Sequence, residues 1–227
     1  MLIDVITIFP GMVEEPLTAG VLGKALEAGR VQIRVFDLRE FTRDRHRVTD
    51  EPPYGGGPGM VMKPEPFFRA VEHCIDSTPD VERRRVVLMT PQGRKLTHGL
   101  SQEMAREEHL VFLCPRYEGV DERVRQWVAT HEVSIGDFVI SGGEFAALVA
   151  VDAVCRLIPG VLGHPDSLEE DSFAHSRLEG PQYTRPAEFR GLTIPSILRS
   201  GDHGAVDSWR LQKSIDATRT RRPELLW

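Results

Sequence analysis

Residues 109–114, HLVFLC, are an unbroken apolar run of the kind that forms a strand buried on both faces of a sheet. A strand so placed must be covered on each side. The rest of the first 160 residues supplies that cover by alternation. LIDVITIF (2–9) is β-branched and apolar and reads as a strand closed by Pro10. Residues 12–28 carry Leu17, Val21, Leu22, Ala25 and Leu26 at helical spacing and stop at Gly29. VQIRVFDL (31–38) is a second strand, PEPFFRAVEHCI (64–75) a helix with proline at its start, and RVVLM (85–89) a third strand. Residues 96–107 read as a helix, VDERVRQWV (120–128) as another, 131–140 as a strand, and 144–158 as a strong apolar helix ended by Pro159 and Gly160. This alternation defines an α/β layer with a mainly parallel sheet.

Past residue 160 the pattern changes. Residues 161–186 have little periodicity, several prolines and an acidic cluster, and read as a linker. The span from Val206 to about Arg222 is helical again and carries Arg210, Lys213, Arg219, Arg221 and Arg222. The expected organisation is therefore a domain over 1–160, a linker over 161–186 and a small C-terminal helical domain over 187–227.

Charge and cysteine content narrow the function classes. The chain has 28 Lys and Arg against 34 Asp and Glu, a net charge of −6, which argues against holding nucleic acid by bulk charge. The average hides a split. Residues 176–227 hold 9 Lys and Arg against 6 Asp and Glu, so the C-terminal segment is the expected polyanion contact. Cys74, Cys114 and Cys155 are far apart and form no CxxC, and the eight histidines show no HxxxH or HExxH, so a disulfide framework and a structural zinc are not expected. The N-terminal stretch lacks a basic n-region and is broken by Pro10, Glu14, Glu15 and Pro16, so it does not read as a signal peptide. No apolar run approaches the roughly 20 residues of a membrane span, and the expected compartment is the cytoplasm.

Three polar, glycine-bearing stretches lie at the carboxyl ends of three successive expected strands: TPQGRK (90–95), PRYEG (115–119) and, in and after the strand that opens at His131, IGDFVISGG (135–143). Parallel sheets bind ligands outside the carboxyl ends of their strands, so these loops mark the expected site. A fourth glycine-rich stretch, YGGGPGM (54–60), lies in the long irregular segment 39–60. Its glycines at 55, 57 and 59 spell a GxGxG like that of Rossmann-type nucleotide enzymes, yet no buried strand leads directly into it.

Taken in order, IFPGM, RDRHRVTDEPPYGGGPGM, TPQGRKL, RYEGVDERV, SIGDFVISGGE, IPGVLGHPDS, EDSF and YTRP resemble the bacterial tRNA (guanine-N1)-methyltransferases of TrmD type, over essentially the whole chain. The resemblance implies a SPOUT-class α/β domain with a deep trefoil knot. It implies a homodimer with shared active sites, and transfer of a methyl group from S-adenosylmethionine to N1 of guanosine at tRNA position 37. It places the cofactor on Thr90, Pro91, Gln92, Tyr117, Glu118, Ile135, Gly136, Asp137, Phe138, Val139, Ile140, Gly142 and Gly143. In enzymes that look like this one, the aspartate of EDSF, Asp171, is the general base, and the arginine before IPGVLG, Arg156, faces the developing charge on guanine O6. Mg²⁺ is a further implied requirement, with Glu118 implicated. The tRNA is expected on Arg43, Arg45, His46 and Arg47, on Gly59, and on Arg210, Lys213, Arg219 and Arg221.

The residue types suit that chemistry. Guanine N1 carries a proton and is a poor nucleophile, so a carboxylate must remove the proton as the methyl arrives. An arginine aimed at O6 favours the transition state over the ground state. The chain departs from the family pattern at Pro115, which replaces a glycine and removes an N–H, and at Phe138, Ile140 and Glu179. Two other readings compete with this one: a Rossmann-type enzyme using residues 55–59, and an RNA-binding relative without catalysis.

Overall fold

The computed structural model describes residues 1–163 and 171–226. The chain divides into two units, Met1–Gly163 and His164–Trp227. In the first, the elements run β1 (Leu2–Thr7), α1 (Gly11–Leu17), α2 (Gly20–Glu27), β2 (Gln32–Asp37), β3 (Asp50–Glu51), β4 (Val61–Met62) and α3 (Pro64–Asp76). They continue with β5 (Arg84–Lys95), α4 (His98–Met104), β6 (His109–Leu113), α5 (Glu122–Trp127), β7 (His131–Ser134) and α6 (Gly143–Cys155). Five strands pair side by side in the order β2-β1-β6-β5-β7, every pair parallel.

Strand alternation sorts the core into two layers. Ile3, Val5, Val87, Leu110 and Phe112 meet Val13, Leu17, Leu100, Met104, Ala147 and Val151 from α1, α4 and α6. From the opposite face, Ile6, Val86, Leu88, Val111 and Leu113 meet Phe67, Ala70 and Cys74 of α3 and Val124 of α5. Each fully buried Leu, Ile, Val or Phe contributes about 1.5–3 kcal/mol. The apolar run at 109–114 is buried throughout, as its composition requires. All three cysteines are free and buried, and burial pushes their thiols upward, that of Cys155 to about 12.

Asp4 and His109 are also fully buried, at the amino ends of β1 and β6. Arg34 Nε and Nη2 grip the two Asp4 oxygens at 2.7 Å each, and His109 Nε2 lies 2.8 Å from Oδ2. Arg84 Nε donates to His109 Nδ1 at 2.9 Å, so the ring proton must sit on Nε2, facing Asp4. Burial alone would raise the Asp4 carboxyl, but the bonds from Arg34 and His109 outweigh it and hold the group below its ordinary value.

Four elements differ from expectation for local reasons. The single helix expected over 12–28 is two, because Pro16 lies inside α1 and Gly20, at φ +67°, turns the chain before α2. The strand expected at 131–140 stops at Ser134, and residues 135–142 leave the sheet. β5 outruns its expected end: Met89 pairs with Val133, four residues loop out, and pairing resumes with Arg94 opposite the same Val133. The irregular segment 39–60 contains β3, which pairs antiparallel with β4.

The second unit holds β8 (Glu188–Phe189), β9 (Leu192–Thr193) and α7 (His203–Arg221). Asp202 caps α7 by accepting from Ala205 N at 3.0 Å. Of the linker expected over 161–186, residues 161–163 fall in the first unit and residues 171–186 fold within this one. Thr218 Oγ1 accepts from Leu178 N at 3.0 Å and Ser214 Oγ donates to Leu178 O. Ser214 and Thr218 are the only buried residues among those described in this unit.

Candidate functional site

Three loops meet outside the carboxyl ends of β5, β6 and β7 and enclose a cleft of about 310 Å³. The first is the four-residue excursion of β5. A Cβ on Gly93 would lie 2.3 Å from Val133 N, so only glycine lets the chain return to β7 after Thr90, Pro91 and Gln92. Arg125 Nη1 holds the Gln92 amide oxygen at 2.7 Å. The second loop carries Tyr117 at φ +58°, followed by Glu118. The third begins at Ile135 and turns at Gly136, φ +152°, where the Phe138 ring lies 2.5 Å from the position of a Cβ.

The second and third loops are laced together. Gly143 N donates to Pro115 O at 2.8 Å, and a Cβ on Gly143 would strike Cys114 Cα and Pro115 Cδ, both at 2.7 Å. A Cβ on Gly142 would strike Arg116 Nε at 2.2 Å. Pro115 thus keeps its carbonyl in the interlock while lacking an N–H. Behind the loops, Arg116 Nε and the fully buried Glu144 Oε2 lie 2.9 Å apart, an ion pair without hydrogen-bond alignment. Thr7 Oγ1 donates to Glu144 Oε1 at 2.7 Å, and the Arg116 guanidinium lies 4.6 Å from the centre of the Phe9 ring. Local sequence does not mark Arg116 and Glu144 as partners. The available signal was a carboxylate opening an otherwise apolar helix.

Thr90, Pro91, Gln92, Tyr117, Glu118, Ile135, Gly136, Phe138, Val139, Ile140, Gly142 and Gly143 all line the cleft. Asp137 is not among the lining residues, and its carboxylate pairs with Lys95 Nζ at 2.7 Å. Gly59 joins the site from the side: at φ +82°, a Cβ there would meet Glu118 Oε1 at 2.3 Å. Glu118 N also donates to Met60 O at 3.0 Å, so the glycine-rich tip between β3 and β4 docks on the second loop. No strand-to-helix turn forms at residues 55–59, which removes the basis of the Rossmann reading. Among the described residues no three carboxylate, histidine or cysteine side chains, Glu118 included, converge to hold a metal ion.

Arg156 caps the carboxyl end of α6 in the first unit and is half-buried. Asp171 belongs to the second unit, where it lines a hollow of about 280 Å³ with His175, Arg177, Glu179, Asp207 and Arg210. Glu169 and Glu170 of the acidic cluster, and residues 164–167 of the HPDS stretch, lie outside the described residues. Arg43, Arg45, His46 and Arg47 are exposed on a turn pinned by Asp44, whose carboxylate accepts from His46 N and Val48 N. Those backbone donors, Val48 foremost, hold the Asp44 carboxyl below its ordinary value. The basic residues of α7 do not share one face. At about 100° per residue Arg210, Lys213 and Arg221 cluster, whereas Arg219 falls on the opposite side.

A wholly parallel sheet with a three-loop cleft at its carboxyl edge defines an α/β enzyme that binds a small organic ligand. The family model of the tRNA (Guanine-1)-methyltransferase TrmD matches residues 1–227, and the chain belongs to that family. It is 52% identical to the tRNA (guanine-N(1)-)-methyltransferase of Geotalea uraniireducens over 226 residues, covering 100% of this chain and 90% of that protein. It is 50% identical to the proteins of the same name from Geobacillus kaustophilus and Geobacter sulfurreducens, covering 100% of this chain and 91% of each.

Proposed function

We propose that this enzyme transfers a methyl group from S-adenosylmethionine to N1 of guanosine 37 in tRNA. The observation that carries the reading is the convergence of the three loops on one cleft, together with membership of the family. The cleft has the volume of a small-molecule site, and its glycines let its loops pack closely on β7 and on one another. S-adenosylmethionine, when bound, supplies an electrophilic methyl on a sulfonium. Ile135, Phe138, Val139 and Ile140 give an apolar wall suited to a purine, and the backbone around Tyr117 and Gly142 suits the amino-acid end.

Asp171 accepts the N1 proton as the new N–C bond forms and the S–C bond breaks. Arg156 offers its guanidinium to O6, where negative charge builds. Positioned proton transfer accounts for about 10²–10⁴-fold of the rate.

Two chains share each site in this reading. The support is unspent apolar surface: Phe138, Val139, Phe145 and Val149 are exposed in the first unit, Val139 to 85%. In the second unit Phe189 and Leu192 are exposed, and no described apolar residue is buried. The trefoil knot of the SPOUT class is likewise proposed, supported by the lacing of Gly142 and Gly143 against the loop after β6. No helix among the described residues is long and apolar enough to cross a membrane. The cytoplasm is the compartment this reading proposes, because the tRNA substrate is there.

Hydrogen exchange with and without S-adenosylmethionine tests the cofactor assignment. Protection is expected at residues 90–92, 115–119 and 135–143. Protection confined to residues 54–60, or produced equally by NAD, would overturn it.

A further inference from the structure

The charged pair behind the cleft is buried but incompletely bonded. Glu144 lies in the first turn of α6 with no exposure to solvent, and the Arg116 side chain that faces it is 13% exposed. The amino end of a helix favours a carboxylate, and Thr7 Oγ1, at the end of β1, fixes one of its oxygens from 2.7 Å. The other oxygen is held by charge alone. Arg116 Nε stands 2.9 Å from it, yet neither atom makes an aligned hydrogen bond among the described residues. Buried polar groups left this way cost stability, and apolar side chains in place of such a pair often leave a fold as stable, so folding alone does not account for it. The Arg116 side chain also reaches several elements around the cleft. Its stem lies under Gly142, where a Cβ would come within 2.4 Å of Cδ. Nη1 donates to Ser141 O at 3.3 Å, and Nη2 lies 2.9 Å from Met12 Sδ of α1. The backbone N–H of Arg116 donates to Met62 Sδ at 3.1 Å, and the next two residues, Tyr117 and Glu118, line the cleft.

We propose that Glu144 is a positioning residue for the cofactor: it acts through Arg116, and the pair aligns when S-adenosylmethionine draws residues 116–118 and 140–142 together. The inference rests on the reading of this cleft as the cofactor site. A small swing of the Arg116 Nε–H onto Glu144 Oε2 makes the missing bond, and the Gly142 backbone seated on the arginine stem moves with it. Hydrogen bonds between charged groups are the strong ones, so the bond gained on closing adds to cofactor affinity. A ligand shifts such an arrangement by as much as it prefers the aligned form. Glu144 does not touch the cofactor, and no proton or bond of the methyl transfer passes through it. Its part is to set where two of the three loops come to rest.

The test uses the full-length enzyme, S-adenosylmethionine, and a tRNA transcript with guanosine at position 37. In wild type the Nε–H proton resonance of Arg116, assigned by its loss in Arg116→Lys, is expected to move downfield when S-adenosylmethionine is added. Calorimetry should show that Glu144→Gln, which keeps the shape and removes the charge, binds the cofactor about tenfold more weakly. Thr7→Val releases the carboxylate from its anchor and should weaken binding in the same direction, and Thr7→Ser should restore it. In steady state the loss should fall on KM for S-adenosylmethionine, with kcat at saturation changed by less than about threefold. A purely structural pair would lower the urea midpoint of the free enzyme and leave the affinity of the folded enzyme unchanged. That result, a resonance that does not move, or a loss confined to kcat would overturn the proposal. If Glu144→Gln does not fold, the Thr7 variants and the wild-type resonance decide. A wild type that binds no S-adenosylmethionine would overturn the cofactor reading and the proposal with it, whereas equal binding by wild type, Glu144→Gln and Thr7→Val would overturn the proposal alone.

Discussion

Asp171 and Asp4 are both carboxylates, and their surroundings give them opposite tasks. Asp171 lines an open hollow in which Arg177 and Arg210 stand beside Glu179 and Asp207, and its proposed task is to meet a substrate there. Asp171→Asn keeps the shape but cannot take a proton, so turnover should fall by about 10² or more with little change in cofactor affinity. A variant that retains more than a tenth of wild-type turnover in single-turnover assays would remove the base. Asp4 is structural. Breaking one member of a buried pair costs about 3–5 kcal/mol, so Asp4→Asn should lower the urea midpoint clearly at pH 7. Folding holds the Asp4 carboxyl below its unfolded value of about 3.9, so the stabilisation is present above that pH and lost as pH falls through the lower folded value. The gap between wild type and variant should therefore narrow below about pH 4. A gap that stays constant into acid would contradict the assignment. The sequence announced Asp171 only through a resemblance, since an acidic residue in a polar linker carries no local mark. Asp4 and His109 were less visible still, being single polar residues in strands 105 residues apart in the chain.

At the level of elements, strands and helices were legible because apolar period follows burial, and both core layers can be read from alternation in β1, β5 and β6. What local pattern could not show were departures fixed by distant backbone. The excursion of β5 depends on β7, a strand nearly forty residues later, and the break at Gly20 depends on a positive φ that hydrophobic spacing does not register. Gly93 is the test of the first. Gly93→Ala would force a methyl against Val133 N and the Glu132 carbonyl carbon, at 2.3 and 2.4 Å, so the strand or the loop must shift. The expected result is a loss of about 1–3 kcal/mol in stability and weaker S-adenosylmethionine binding, read by denaturation and calorimetry. Unchanged cofactor affinity would mean that the excursion does not shape the cleft. The convergence of the three loops on one cleft was legible, because crevices lie at the carboxyl edge of parallel strands. Arg116 and Glu144, which fasten two of those loops from behind, were not, because their pairing crosses from one loop to the start of α6.

For the whole molecule, surface composition points to assembly. The exposed apolar residues of the first unit border the cleft through Phe138, Val139 and Ile140, so a partner seated there would meet the site itself. Sedimentation at micromolar concentration should give a dimer, and Val139→Glu should shift it toward monomer with loss of turnover; a fully active monomer would contradict shared sites. The most direct test of the central claim is a methyl-transfer assay. Purified enzyme is given labelled S-adenosylmethionine and two tRNA transcripts that differ only in guanosine or adenosine at position 37, and the digested product is analysed by mass spectrometry. The expected result is one methyl group on N1 of guanosine 37 and none on the adenosine transcript. Label at another position, equal label on both transcripts, or no transfer with folded enzyme would contradict it.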